Sequence, residues 1–231
     1  MRLRSIGFLS LILVFEGCQS STMTAAKLYE KQGDFLKAKD QWLTVLEEEP
    51  DNMEAHYSLG KIHGVEGEYG KMVRSFDLAS GSEFQDEINL TLDKSWRSRF
   101  NDGVRWMDED IDKAIQAFRD ATVIANERLD AWQNLAVLYS RSERVEDALA
   151  IYEIIVKQSK DVDLMSQIGI YQMQEEAFGS AIETLKKVVN FDSLHFEGHY
   201  NLAIAQIKTN DLENAEKNLL IASEIDSLDI S

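Results

Sequence analysis

The sequence predicts an all-α fold, a stack of helical hairpins. Three observations carry this. An alanine returns in fixed phase: Ala38, Ala114, Ala148, Ala181 and Ala215, with Met72 in the missing slot. The steps are 34, 42, 34, 33 and 34 residues, and a period near 34 marks stacked two-helix repeats. One proline and twelve glycines in 231 residues leave little room for long irregular loops. No segment sustains the period-two alternation of a strand.

Taken in order, the repeats fall at about residues 19–52, 53–86, 96–128, 129–161, 162–195 and 196–229, with an insert at 87–95. The first departs from the rest, carrying Ala25-Ala26 where others have Leu-Gly or Leu-Ala. The second reads His56-Tyr57-Ser58-Leu59-Gly60, then Gly67-Glu68-Tyr69. The third follows the insert, and its turn is one residue short. The fourth reads Trp132-Gln133-Asn134-Leu135-Ala136, then Tyr139, Val145 and Ala148. The fifth centres on Gly169 and Ala181, and the sixth reads His199-Tyr200-Asn201-Leu202-Ala203, then Leu212 and Ala215. Small residues (Gly60, Gly103, Ala136, Gly169, Ala203) let the first helix approach its partner. Four residues past each alanine slot sits a bulky filler: Trp42, Phe76, Phe118, Tyr152, Leu185 and Leu219.

These shared positions resemble the tetratricopeptide repeat family over nearly the whole chain after residue 18. The resemblance implies a right-handed superhelical solenoid of six hairpins over residues 23–231. It also implies that the first helices line a concave, protein-binding groove. Carried over by repeat position, that groove comprises Phe100, Val104 and Met107, then Gln133, Val137 and Arg141. Ser166, Ile170 and Met173 follow, then Tyr200, Ile204 and Ile207. The first two repeats present Lys27, Lys31, Tyr57 and Lys61 instead. The groove is thus expected to be locally basic at its start and apolar later, suiting an amphipathic helix or an extended apolar segment. The other reading is that some of these side chains pack between neighbouring first helices.

The amino terminus carries a second pattern. Arg2 and Arg4 precede an apolar run from Ile6 to Phe15, which ends at Glu16-Gly17-Cys18. Ten apolar residues are short for a membrane span and right for a signal peptide, here residues 1–17. The run resembles a bacterial lipoprotein signal, which implies acylation of Cys18, the only cysteine, and a tether at 18–22. Phe15 and Glu16 depart from that pattern, and an ordinary secretory signal with an incidental cysteine is the alternative. Gln19, in place of aspartate, implies by the same resemblance the outer membrane facing the periplasm.

Composition narrows the function. A formal net charge of −17 disfavours nucleic-acid binding. The acidic residues gather at turns, either as a solvated surface or as a field that steers a basic partner. We find no phosphate loop, zinc-binding cysteine pair or nucleophile motif, so no enzyme, metal or cofactor is expected. His195 and His199 are four apart but sit in a turn and at a packing slot. The insert is expected to lengthen the third repeat's first helix by about two turns and to project Trp96 and Arg97 beyond the stack. The apolar Leu219-Leu220-Ile221 of the last helix suggests docking on a partner or a second copy. The expected function is a non-catalytic scaffold holding protein partners at the bacterial envelope. Six repeats behind a lipoprotein signal resemble lipoproteins that assist type IV pilus assembly. The alternatives are a self-associating structural protein and, further off, an enzyme or metal binder on the same scaffold.

Overall fold

The computed structural model describes residues 21–229. The signal segment, Cys18 and the start of the tether lie outside the described residues. Within them the chain forms twelve helices and no strand. In chain order these are α1 (Ser21–Gln32), α2 (Phe35–Glu48), α3 (Met53–Val65), α4 (Tyr69–Leu78), α5 (Gln85–Trp106) and α6 (Ile111–Ile124). They continue as α7 (Leu129–Arg141), α8 (Val145–Gln158), α9 (Val162–Gln174), α10 (Phe178–Phe191), α11 (Phe196–Lys208) and α12 (Leu212–Asp229). Consecutive helices pair as six hairpins. The chain divides into two compact units, one through Asn89 and one from Leu90, so the division falls inside α5.

Each hairpin is held by the small-against-bulky pairing that the repeat phase anticipates. All five recurrent alanines and Met72 are buried. A side chain cannot be added where the helices touch. A Cβ on Gly60 would lie 2.4 Å from the Phe76 ring. Gly103 stands in the same relation to Phe118, and Gly169 to Leu185. Around these contacts lie separate apolar clusters. One in the first unit joins Met23, Trp42, Val45, Leu59 and Ile62. Another in the second joins Ala136, Ile155, Met165, Ile168 and Val188.

The turns within hairpins share one conformation. The residue five before the alanine slot is left-handed in five hairpins: Gly33, Gly67, Glu143, Glu176 and Asn210. Glycine adopts that conformation freely, whereas a side chain there costs about 1 kcal/mol. The third hairpin has no such residue: α5 ends early, at Trp106, so that its connection to α6 is four residues long, 107–110, against two or three in the others, and the expected shorter turn is not what forms.

The acidic turns have local work. Asp34, Asn52, Asp110 and Asp161 each accept a hydrogen bond from the backbone N–H three residues on, capping α2, α3, α6 and α9. His195 does the same for α11, its Nδ1 accepting from the Gly198 N–H at 2.8 Å.

The insert does lengthen α5, to 22 residues. Arg97 is exposed, but Trp96 does not project: it is only 6% accessible. Its ring stacks on Phe100 with centroids 4.8 Å apart and is covered by the Arg128 guanidinium 3.5 Å from the centroid. Asp93 fixes that lid, accepting from Arg128 at 3.0 Å. Trp96 lies four residues before Phe100, so both fall on one helix face and turn inward together.

The Gly60 contact gives a direct test. Gly60→Ala should lower stability by about 2 kcal/mol, the cost of overpacking a close helix contact. Adding Phe76→Leu should restore part of it, as read by thermal denaturation of both variants.

Candidate functional site

The first-helix face of the second unit is the candidate site. Its geometry follows from the small residue at the centre of each first helix. Gly103, Ala136, Gly169 and Ala203 point at the hairpin partner, so the next residue points away from it. That residue is Val104, Val137, Ile170 and Ile204 in successive hairpins. Val104 is 50% and Val137 45% accessible, with Tyr200 at 46% and Ile207 at 43% on α11. Ile170 and Ile204 are half-buried. Between α7 and α9 the face opens into a cavity of about 250 Å³, walled by Gln133, Val137, Leu164 and Gln167 and floored by Tyr152 and Ile168. Burial pushes the Tyr152 phenol above its ordinary pKa.

Other expected groove residues are placed differently. Ser166 is buried, not presented. Phe100 is half-buried in an aromatic stack, edge-on to Phe118 at 5.5 Å. Met173 packs against the cluster of Ala181, Leu185, Leu202 and Ala205. Met107 is half-buried in the α5–α6 turn. Arg141 is exposed and pairs with Asp108 at 3.0 Å. For Ser166, Phe100 and Met173, packing between helices is the better description.

In the first unit the equivalent face is polar but not basic. Lys27 pairs with Glu54 at 2.8 Å, and Lys61 pairs with Glu30 at 3.3 Å. Lys61 also sits 4.6 Å from the Tyr57 ring, which stacks on Phe84 at 4.4 Å. Two of the three expected lysines are thus neutralised where they stand, while Lys31 is exposed.

One cluster escaped the sequence reading. His63, Glu66 and Glu68 bring three ligand atoms within 4.8 Å of one another. Their spacing over six residues, across the α3–α4 turn, was the available cue. The Lys39 ammonium already occupies this group, 2.5 Å from Glu66 and 3.4 Å from Glu68. A divalent ion would have to displace it, so the cluster is an ion-pair network tying α2 to the turn. The histidine pair is likewise structural. His195 caps a helix, and buried His199 lies 2.8 Å from Asn218 Oδ1 and 3.2 Å from the Ser193 carbonyl.

With this geometry in hand, the likenesses to known proteins can be placed. Residues 23–71 match the tetratricopeptide repeat family. The fold is an all-α run of hairpins of that type. Lipopolysaccharide assembly protein B of Escherichia coli K12 is 24% identical over 159 residues, covering 65% of this chain and 39% of that protein. The human protein O-mannosyl-transferase TMTC3 is 24% identical over 230 residues, 86% of this chain and 25% of its own length. The chain therefore spans well under half of either curated relative. Among solved structures, MamA superposes with a TM-score of 0.43 at 15% identity, over 89% of this chain and 90% of its own. YrrB, described as a tetratricopeptide protein with an unusual peptide-binding site, gives 0.45 at 18% identity, over 80% and 91%. No helix among the described residues is long and apolar enough to cross a membrane.

The ion-pair network gives a pH prediction. Hydrogen bonds from Lys71 and then His63 hold the Glu68 carboxyl down at about 2. A lowered pKa means the stabilisation is complete above the ordinary value of 4.5 and is lost as pH falls toward 2. The stability gap between the native chain and Glu68→Gln should therefore narrow through that window and be flat above it, as followed by denaturant titration at each pH.

Proposed function

We propose that this chain is a non-catalytic scaffold that holds a protein partner on the first-helix face of its carboxyl-terminal hairpins. One observation carries the reading: four hairpins each place an apolar side chain at the same outward position, and two of these, Val104 and Val137, are about half accessible. A solenoid repeats its surface, so such a row is a linear apolar track. The cavity beside Val137 gives the track a socket for one side chain. The partner is an amphipathic helix or extended apolar segment that contacts Val104, Gln133, Val137, Ile170, Tyr200, Ile204 and Ile207.

The proposed address is the bacterial envelope. Supporting it are the charged start, the ten-residue apolar run and Gly17-Cys18, together with the partial likeness to an E. coli lipopolysaccharide assembly protein. In this reading residues 1–17 are removed, Cys18 is acylated, and residues 23–231 stand close to the outer membrane on a short tether. A role in assembling an envelope complex follows from that position. Metabolic labelling with an alkyne fatty acid should mark the native chain and not Cys18→Ala. Equal labelling of both removes the anchor.

A second reading draws on α12, where Leu212, Leu219, Leu220 and Ile221 are exposed. That face suits contact with another copy. Photo-crosslinking in cells from positions 133 and 207 separates the two. One dominant partner, lost when Val104 and Val137 are both changed to Asp in a chain that keeps its helical spectrum, is the expected result. Capture of a second copy alone would reassign the face to self-association.

A further inference from the structure

A groove of about 680 Å³ opens where the last hairpin of the second unit meets the start of α9. Its apolar lining is Leu194, Phe196 and Ile225, from the α10–α11 turn, α11 and α12. Leu194 is 67% accessible, a large apolar side chain left in water. Phe196 stacks on Tyr200 with centroids 6.0 Å apart, which extends the apolar surface along α11. Four carboxylates stand around this lining: Asp163, Asp192, Glu197 and Asp226. Carboxylates at other turns have a lysine, as Asp34 has Lys37 at 2.7 Å and Asp110 has Lys113 at 2.9 Å. Among the described residues no lysine or arginine pairs with any of these four. His195 lies 3.5 Å from Asp163 and 4.0 Å from Glu197, but its Nδ1 is engaged as the acceptor that caps α11, so it brings no positive charge.

The fold accounts for two of these anions and not for the other two. Asp163 and Glu197 lie in the first turns of α9 and α11, where the helix dipole favours negative charge. Asp192 is the C-cap of α10, and Asp226 lies in the last turn of α12, where the dipole disfavours it. Asp192 Oδ1 accepts from the Leu194 N–H at 3.0 Å, a bond that asparagine would make without the charge. Four uncompensated anions around apolar surface select a cation carried on an apolar body. A bare divalent ion does not fit: the three ligand atoms found within 4.8 Å of one another among the described residues are those of His63, Glu66 and Glu68. Charge spread over this volume suits an extended segment with several cations. A second copy of this chain fits poorly, because each copy carries 41 acidic residues against 24 basic and a net charge of −17.

We infer that this groove docks a basic amphipathic segment of a partner protein, whose lysines or arginines meet Asp163, Asp192, Glu197 and Asp226 while its apolar side chains cover Leu194, Phe196 and Ile225. Lysine and arginine suit such a site because an apolar stem lies on the lining while the charged head stays at the rim. The net negative charge of the chain draws such a segment in. The inference takes from the scaffold reading only the idea that the occupant is part of a protein. The groove is built from other residues than the proposed track, and each can fail alone.

The test titrates the full-length chain into a labelled helix-forming peptide of leucine and lysine, and into its counterpart with glutamate for each lysine, read by fluorescence anisotropy. The lysine peptide should bind, less tightly as salt is added, and the glutamate peptide should not. Asp192→Asn with Asp226→Asn should weaken binding about fivefold, the effect of two partly exposed ion pairs. This variant should keep its melting temperature, because each change removes an anion from a helix C-terminus and keeps an acceptor. Leu194→Ser, at an exposed position, should weaken binding by a similar factor through lost apolar cover. Glu47→Gln with Glu48→Gln changes net charge equally at exposed positions of α2 and should leave the affinity as it was. Equal losses in the two acidic pairs would assign the binding to overall charge and overturn the proposal. Full affinity in Leu194→Ser, or equal binding of the two peptides, overturns it as well. None of these outcomes bears on the crosslinks expected from positions 133 and 207.

Discussion

The structure depends on one contact repeated along the chain: the place where the first helix of a hairpin comes so close to the second that only glycine or alanine fits. At Gly60 a single added carbon would stand 2.4 Å from the ring of Phe76. That proximity sets the rotation of both helices about their axes. Once rotation is set, the residue after the small one must face outward, and the alanine slot of the second helix must face inward. The inward slot is filled at full burial in every hairpin, even by Met72. The same contact explains why the phase of the repeat is readable although no two repeats share much sequence. Phase is enforced by sterics at two or three positions, and the others answer only to exposure.

This is also the measure of what could be read in advance. The hairpins, their turns and the lengthened α5 were legible because each rests on a local rule: a small residue, a left-handed turn residue, an added stretch of helix-forming sequence. The inward position of Trp96 was not, because the reading treated the insert as surplus to the stack. Its own spacing held the answer. Trp96 stands four residues before Phe100 and three after Asp93, so one helical face carries the ring, its aromatic neighbour and the carboxylate that anchors Arg128 over it. The insertion is absorbed by extending the core, not by bulging from it.

The candidate site was legible as a face and illegible as a surface. Repeat position tells which way a side chain points. It does not tell how far the neighbouring hairpin covers it. Val137 remains about half accessible at its position, whereas Ile170 at the equivalent position is half-buried. Charge was misread for a related reason. Lys27 and Lys61 were counted by position without Glu54 and Glu30, which reach them from the adjacent helix. The acidic excess had been credited to the surface as a whole. Part of it is local: Asp34, Asp110 and Asp161 cap helix starts, where a carboxylate meets free N–H groups and the positive end of the helix dipole.

The polar groups of the interior were less legible in the sequence, because repeat position tells that a side chain is buried and not which partner it meets. Several buried polar groups are explained by what they touch: His199 by Asn218 and the Ser193 carbonyl, Thr122 by the Arg119 carbonyl. The indole N–H groups of Trp42 and Trp96 and the Tyr171 hydroxyl lack partners among the described residues, but each belongs to a large ring whose burial outweighs one unmatched group. The Gln172 amide oxygen is unmatched as well, at a slot where the next hairpin places Gln206, whose Oε1 accepts from Asn218 Nδ2 at 2.9 Å. The slot takes no aliphatic side chain in any of these hairpins, and His63, Tyr139 and Gln206 each find a partner there, in Glu68, Arg119 and Asn218. Polarity at that position is thus a property of the stack, met by a different neighbour in each hairpin.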